Sequence, residues 1–217
     1  MILIWQMRSL HSPRDVYKRQ IQRIDREKLG TMEVDQDLVV TGYTGEPGAA
    51  LIAKAKREEL RQWFSDQYID TIEMPTGAEG NLSWEMAKEL GATEFERIGE
   101  GGIFTALWNL SGCYRQGITI YLHDIPVRQN TIELCERYEL MPYRLWSGNC
   151  AVLVANNGRK LIRKLAAEGI NAAIIGQVRA GVRKEICQGM KAGCMERPKP
   201  DEIYKVLPDF NPEMPGK

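Results

Sequence analysis

Residues 151–178, AVLVANNGRKLIRKLAAEGINAAIIGQV, read as strand, helix and strand in chain order. Ala151 to Ala155 is an unbroken apolar run of strand length, and Ala172 to Val178 is a second. Between them Arg159 to Glu168 spaces its apolar residues as an amphipathic helix does, and Gly169 closes it. Two strands joined through one helix imply a sheet with a helix packed against its face.

The same alternation extends upstream. Leu38 to Thr41 is a strand candidate, followed by a loop from Gly42 to Gly48 whose glycines and proline permit a sharp turn. Ala49 to Phe64 reads as one helix, with Ile52, Ala53, Leu60, Trp63 and Phe64 inward and Lys54, Arg57, Glu58 and Arg61 outward. Pro75 to Gly80 is a turn-rich break. Asn81 or Ser83 can cap a short helix that runs through Leu90 and ends at Gly91. The turn Gly99 to Gly102 then opens a helix in which Ile103, Phe104, Leu107, Trp108 and Ser111 recur at intervals of three and four. Ile118, Ile120 and Leu122 alternate with Thr119, Tyr121 and His123 as a half-buried strand that stops before Pro126. Arg128 to Leu140 is helical, with Ile132, Cys135 and Tyr138 inward. Beyond Val178 the glycine content rises, and five prolines between Pro198 and Lys217 predict a surface-wrapping or frayed end. The expected fold is α+β, a layered α/β sandwich with a mixed sheet.

Composition narrows the function. The 217 residues carry 29 basic and 29 acidic side chains, with 43% hydrophobic and 27% charged residues, which is ordinary globular usage. A zero net charge without runs of like charge counts against a nucleic-acid partner. The absence of an apolar run near the roughly 20 residues of a spanning helix counts against a membrane. Cys113, Cys135, Cys150, Cys187 and Cys194 are odd in number, form no CxxC pair and have two histidines for company. They read as reduced cytoplasmic thiols rather than metal ligands, and no metal site is expected. Residues 1–20 hold four basic residues and one acidic one and show no period, and Ser12 to Gln20 resembles the conceptual translation of a sequencing adapter. The alternative for 1–20 is a disordered basic leader, and 21–36 reads as a remnant or linker.

Four places could carry chemistry. Gly99, Glu100, Gly101 and Gly102 precede an amphipathic helix, so backbone amides at its positive end can meet a phosphate or carboxylate; a structural turn accounts for the same glycines. The spacing is neither that of a Walker loop nor that of a dinucleotide fingerprint. Arg128 and Gln129 open a helix where a guanidinium and an amide can reach a ligand or face solvent. Ser147 and Gly148 offer a hydroxyl and backbone contacts, or simply a turn, and Tyr43-Thr-Gly45 is equally open. His123 beside Asp124 has no third partner and reads as a surface histidine. No catalytic residue is identified.

Five blocks in order carry a resemblance: GEGGIFTALW (99–108), IPVRQNTIELCE (125–136), PYRLWSG (142–148), EGINAAIIG (168–176) and RPKPDEIYKV (197–206). Over about residues 37–206 the chain resembles the C-terminal domain of AIR synthase-related (PurM-like) proteins, and within them hydrogenase maturation factors of the carbamoyl-dehydratase type. The resemblance implies a fold with a ferredoxin-like portion and a two-domain parent that uses ATP and Mg²⁺. In that parent an N-terminal domain, missing here, binds much of the nucleotide and builds a homodimer, while this domain closes the cleft. It implies that Gly99, Gly101 and Gly102 line that cleft, and that the chain alone is inactive. Where relatives carry His-Asp ahead of the Glu-Gly-Gly run, this chain has Glu96 and Arg97, which admits a non-catalytic ligand-sensing or partner-binding module instead. It also ends without the reactive cysteine of the maturation enzymes, in a tail at 207–217 expected to be flexible. A lost domain predicts an exposed apolar surface at Leu38, Val40 and Tyr43, with self-association.

Overall fold

The computed structural model describes residues 28–73 and 81–212. Among these, seven strands form one sheet in the order β2-β4-β1-β5-β3-β6-β7. They are β1 (Asp37–Thr41), β2 (Glu94–Arg97), β3 (Gly117–Tyr121), β4 (Ala151–Ala155), β5 (Ala172–Arg179), β6 (Lys184–Gln188) and β7 (Lys191–Cys194). Every neighbouring pair is antiparallel except β3 with β6, so the sheet is mixed, as expected.

The period-two alternation of the strands divides the core by face. Leu38, Val40, Val152, Val154, Ile118 and Ile120 point to one side and pack against Ile103, Leu107 and Leu110 of helix α5 (Gly102–Tyr114). Val39 and Leu153 point to the other side, against α4 (Trp84–Leu90) and α7 (Gly158–Ala167) through Ala87, Leu161 and Leu165. Each fully buried aliphatic side chain in these layers contributes about 1.5–3 kcal/mol. A third cluster lies off the sheet. Ile52 of α1 (Glu46–Ala55), Leu60 of α2 (Arg57–Leu60), Ile69 and Ile72 of α3 (Asp66–Glu73) and Leu134 of α6 (Gln129–Arg137) surround Ile203 there.

Local chemistry sets the helix ends. The Ser83 hydroxyl accepts the Met86 amide, and Gly91 at φ 115° terminates α4. Asn157 caps α7 by accepting from the Lys160 amide at 2.9 Å. The single helix expected over 49–64 is instead α1 and α2: Pro47 in the first turn starts it earlier, and Lys56 at φ −112° breaks it. Trp63 is consequently exposed, under the Arg137 guanidinium at 3.7 Å. Along α6 the buried positions are Thr131, Leu134 and Cys135, with Ile132 and Tyr138 at the margin. The break at Pro75 to Gly80 lies outside the described residues, as does the leader.

Two elements lacked a strand pattern in sequence. In β2, Glu94 is wholly buried because its carboxylate accepts the Gly30 and Phe95 amides and the Tyr114 hydroxyl. The β6–β7 hairpin carries Lys184, Glu185 and Lys191 and buries little. Toward residue 212 Ile203 is buried, and Phe210 meets the Trp146 ring edge-on at 5.5 Å.

The expected apolar exposure at Leu38 and Val40 is corrected. β1 pairs on both sides, with β4 and β5, and both side chains are fully buried between its neighbours and α5. Tyr43 is half-buried beneath the Arg128 guanidinium, 4.0 Å from its ring. A central strand with two hydrogen-bonded edges leaves no apolar surface there to drive self-association.

Candidate functional site

Register brings the predicted residues to one end of the sheet. Thr41 at the end of β1 is opposite both Ala151, which starts β4, and Ala172, which starts β5; Arg97 at the end of β2 is also opposite Ala151. The loops 42–48, 98–102, 122–128 and 142–150 therefore emerge together. Thr44 donates its amide to Pro126 O at 2.9 Å, Ile98 to Cys150 O at 2.9 Å and Gly48 to Trp146 O at 3.0 Å. Residues 52 to 98 positions apart thus become neighbours.

The glycine turn lies where the helix reading requires, with Gly101 in the left-handed region at φ 77° as the N-cap of α5. Its amides are in use. Gly101 donates to Asp201 Oδ2 at 2.6 Å, and Gly102 donates to Gly99 O at 3.1 Å. A Cβ on Gly102 would lie 2.5 Å from Tyr143 O and 2.8 Å from Arg144 Cα, so this glycine admits the 142–144 turn. Glu100 is buried, and its Oε1 has no hydrogen-bond partner.

Ser147 is fully buried. Its Oγ accepts the Gly45 amide at 2.7 Å and donates to Leu145 O at 2.8 Å, which fixes the start of α1. Gly148 has the Trp146 indole 2.3 Å from where a Cβ would stand. Arg128 lies over Tyr43 and pairs through Nε with Glu46 Oε1 at 2.8 Å, where Glu46 is almost wholly buried. Gln129 is exposed and donates to Glu133. Thr44 is buried with its hydroxyl unpartnered. His123 is on the surface. Glu96 is buried in β2, whereas Arg97 turns to Leu82 O at 2.5 Å and stacks over Phe95.

The residue that sequence reasoning missed is Asp201. It is 2% exposed, and besides Gly101 it accepts the amides of Trp146 at 3.1 Å and Ile203 at 2.9 Å through Oδ1. Burial pushes its carboxyl up to about 7, against the pull of these three amides and with the neighbouring Glu100 adding to the rise. Pro198 and Pro200 immediately before it were the available signal, since they mark an extended approach to the capped turn 202–205. Beside Asp201 a cleft of about 890 Å³ is lined by Leu140, Met141, Tyr143, Arg144, Lys199 and Tyr204 among others. Arg144 and Lys199 both pair with Glu196, at 2.5 and 2.6 Å, and hold its carboxyl down at about 2.

Three solved structures share this architecture. The hydrogenase maturation protein HypE of E. coli aligns at a TM-score of 0.62 and 16% identity, over 82% of this chain and 54% of that one. A HypE in complex with ATP aligns at 0.57 and 13% identity, over 81% and 53%. Thiamine-monophosphate kinase from Stenotrophomonas maltophilia K279a aligns at 0.54 and 11% identity, over 72% and 51%. No family model and no curated protein matches the sequence. The chain spans about half the length of the structures it matches, and at these identities the likeness is one of fold. What these structures share with the chain is an α+β architecture built on a mixed sheet.

Proposed function

We propose that this chain is the C-terminal domain of an ATP-dependent AIR synthase-related protein, similar to the hydrogenase maturation factors, and that it closes over a nucleotide and substrate cleft completed by an N-terminal domain. The observation that carries the reading is the gathering of the glycine turn, the Tyr43–Glu46 loop, Arg128 and the 142–148 loop at one sheet end of this fold. That end is a set of loops braced by buried hydrogen bonds, a fixed wall for a cleft whose ligand contacts come mainly from the other domain.

ATP and Mg²⁺ enter through the resemblance, and the residues of this domain do not by themselves fit them. The Gly101 and Gly102 amides already have acceptors, Glu100 and Asp201 add negative charge beside the turn, and among the described residues no group of three or more His, Cys, Asp or Glu could hold a metal. In the proposal the nucleotide and its metal belong mainly to that N-terminal domain, which also builds the homodimer, and no step is assigned to this chain alone. A cytoplasmic location belongs to the same proposal. The five cysteines form no CxxC pair, and among the described residues no helix is long and apolar enough to cross a membrane.

The second reading, a non-catalytic ligand-sensing or partner-binding module, is favoured by the same occupied turn and by Glu96 and Arg97. The test is ATP hydrolysis by a reconstructed two-domain parent. Turnover that is lost in Gly101→Asp and kept in Arg163→Ala, on the exposed side of α7, supports the enzyme. Tight nucleotide binding without turnover supports the module and overturns the enzyme.

A further inference from the structure

Arg144 is a cation that the fold has largely withdrawn from water. Its side chain is 12% exposed, its guanidinium carbon lies 6.0 Å from the centroid of the Phe104 ring, and Phe104 is itself stacked on Tyr143 at 5.4 Å. A guanidinium so placed needs an anion beside it, because a charge taken out of water without a partner is strongly disfavoured. The anion supplied is Glu196. Its Oε2 accepts from Arg144 Nη2 at 2.5 Å and from Lys199 Nζ at 2.6 Å, yet the Glu196 side chain is 60% exposed. The partner of the withdrawn cation is thus a carboxylate that stands mostly in solvent.

The same two cations face a second space. Arg144 and Lys199 both line the cleft of about 890 Å³, and Glu196 is not part of that lining. The wall beside them is largely apolar, with Leu140, Met141, Tyr143 and Tyr204, and Met141 is 42% exposed. A space of this size with an apolar wall and a few charged groups has the form of a small-molecule site. Of its acidic members, Asp201 is committed to three backbone amides and Glu202 to Lys205 at 2.5 Å, while Glu139 is exposed.

We propose that this cleft binds a small organic acid, an apolar body carrying one carboxylate, and that Glu196 is a built-in competitor which the ligand's carboxylate displaces from Arg144 and Lys199. The cations keep an anion throughout the exchange. The ligand's body covers apolar wall at Met141 and Tyr204, and Glu196, already mostly in water, loses little on leaving. The site stands on these contacts and does not rest on the ATP reading.

Phenylacetate is the probe, titrated at pH 7 into the whole 217-residue chain and followed by amide NMR. Saturable shifts are expected at the amides of Met141, Tyr143 and Tyr204, with a Kd of about 1–10 mM for so small a ligand, and none at Leu153 in the central strand β4. Acetate, which has the charge alone, and 2-phenylethanol, which has the body alone, should each bind about tenfold more weakly or worse. Lys199→Gln should weaken phenylacetate about fivefold. Glu196→Gln should tighten it about fivefold, because the receptor is no longer partly occupied by its own side chain. Both side chains are more than half exposed, so neither variant threatens the fold. No saturable shift up to about 50 mM overturns the proposal, and so does acetate binding as tightly as phenylacetate. Affinity that is unchanged or lower in Glu196→Gln overturns it as well, since a plain surface ion pair has no competitor to remove.

Discussion

Gly102→Ala separates the two explanations of the glycine turn, ligand access and packing. A new Cβ would lie 2.5 Å from Tyr143 O and 2.8 Å from both the Cα and the carbonyl carbon of Arg144. These are backbone atoms, which cannot swing aside as a long side chain can. At φ 63° an L-residue also pays about 1–2 kcal/mol for the left-handed region. Overpacking adds about 1–3 kcal/mol, so the expected loss is about 2–5 kcal/mol. Gly91→Ala is the matched control. Its φ is 115°, and a Cβ there meets nothing within 4 Å, so only the backbone cost applies. Equilibrium urea unfolding of both variants gives the comparison, with the midpoint shift converted at constant slope. If Gly102→Ala proves no less stable than Gly91→Ala, the close approach of the 142–144 turn is not what requires glycine, and the packing argument fails.

Three further outcomes follow from named contacts. For Asp201 the folded carboxyl at about 7 lies above its ordinary 3.8, so its contribution is fully present below pH 3.8 and is lost as pH rises through 7. The stability of the wild type relative to Asp201→Asn should therefore fall by about 4 kcal/mol across that window; a flat difference in chemical denaturation between pH 4 and pH 8 refutes it. Ser147→Ala removes the acceptor of the buried Gly45 amide and the donor to Leu145 O, and should cost about 1–3 kcal/mol by thermal or urea unfolding. Ile203→Ala removes a fully buried side chain from the off-sheet cluster and should cost about 2–5 kcal/mol; a loss below 1 kcal/mol would mean that residues 202–205 are not part of the cooperative core.

Sequence pattern alone was enough for the elements whose faces are chemically distinct. β1, β3, β4 and β5 alternate or run apolar, and α4, α5, α6 and α7 present a 3.6-residue stripe, because burial against one neighbour selects for one face. β2 did not show, since Glu94 and Glu96 look like solvent-facing residues until Gly30 and Tyr114 supply partners for the first of them. The β6–β7 hairpin did not show either, because it buries too little to need an apolar pattern.

The candidate site divides in the same way. Gly99 to Gly102, Arg128, Gln129, Ser147 and Gly148 were legible from local composition: glycine before a helix, and polar groups beside turns. Whether their polar groups are free for a ligand was not legible, because a hydrogen bond to a residue 100 positions away leaves no local trace. By itself the sequence determined the α+β class, most strands and helices, and the turn that opens α5, since these depend on periodicity and on backbone freedom within a few residues. Only the tertiary structure decided that β1 is central and buried, that Ser147 braces Gly45, and that Asp201 occupies the Gly101 amide. Strand order and long-range hydrogen bonds arise from which buried polar groups find one another when the sheet closes, and that pairing is a property of the folded chain.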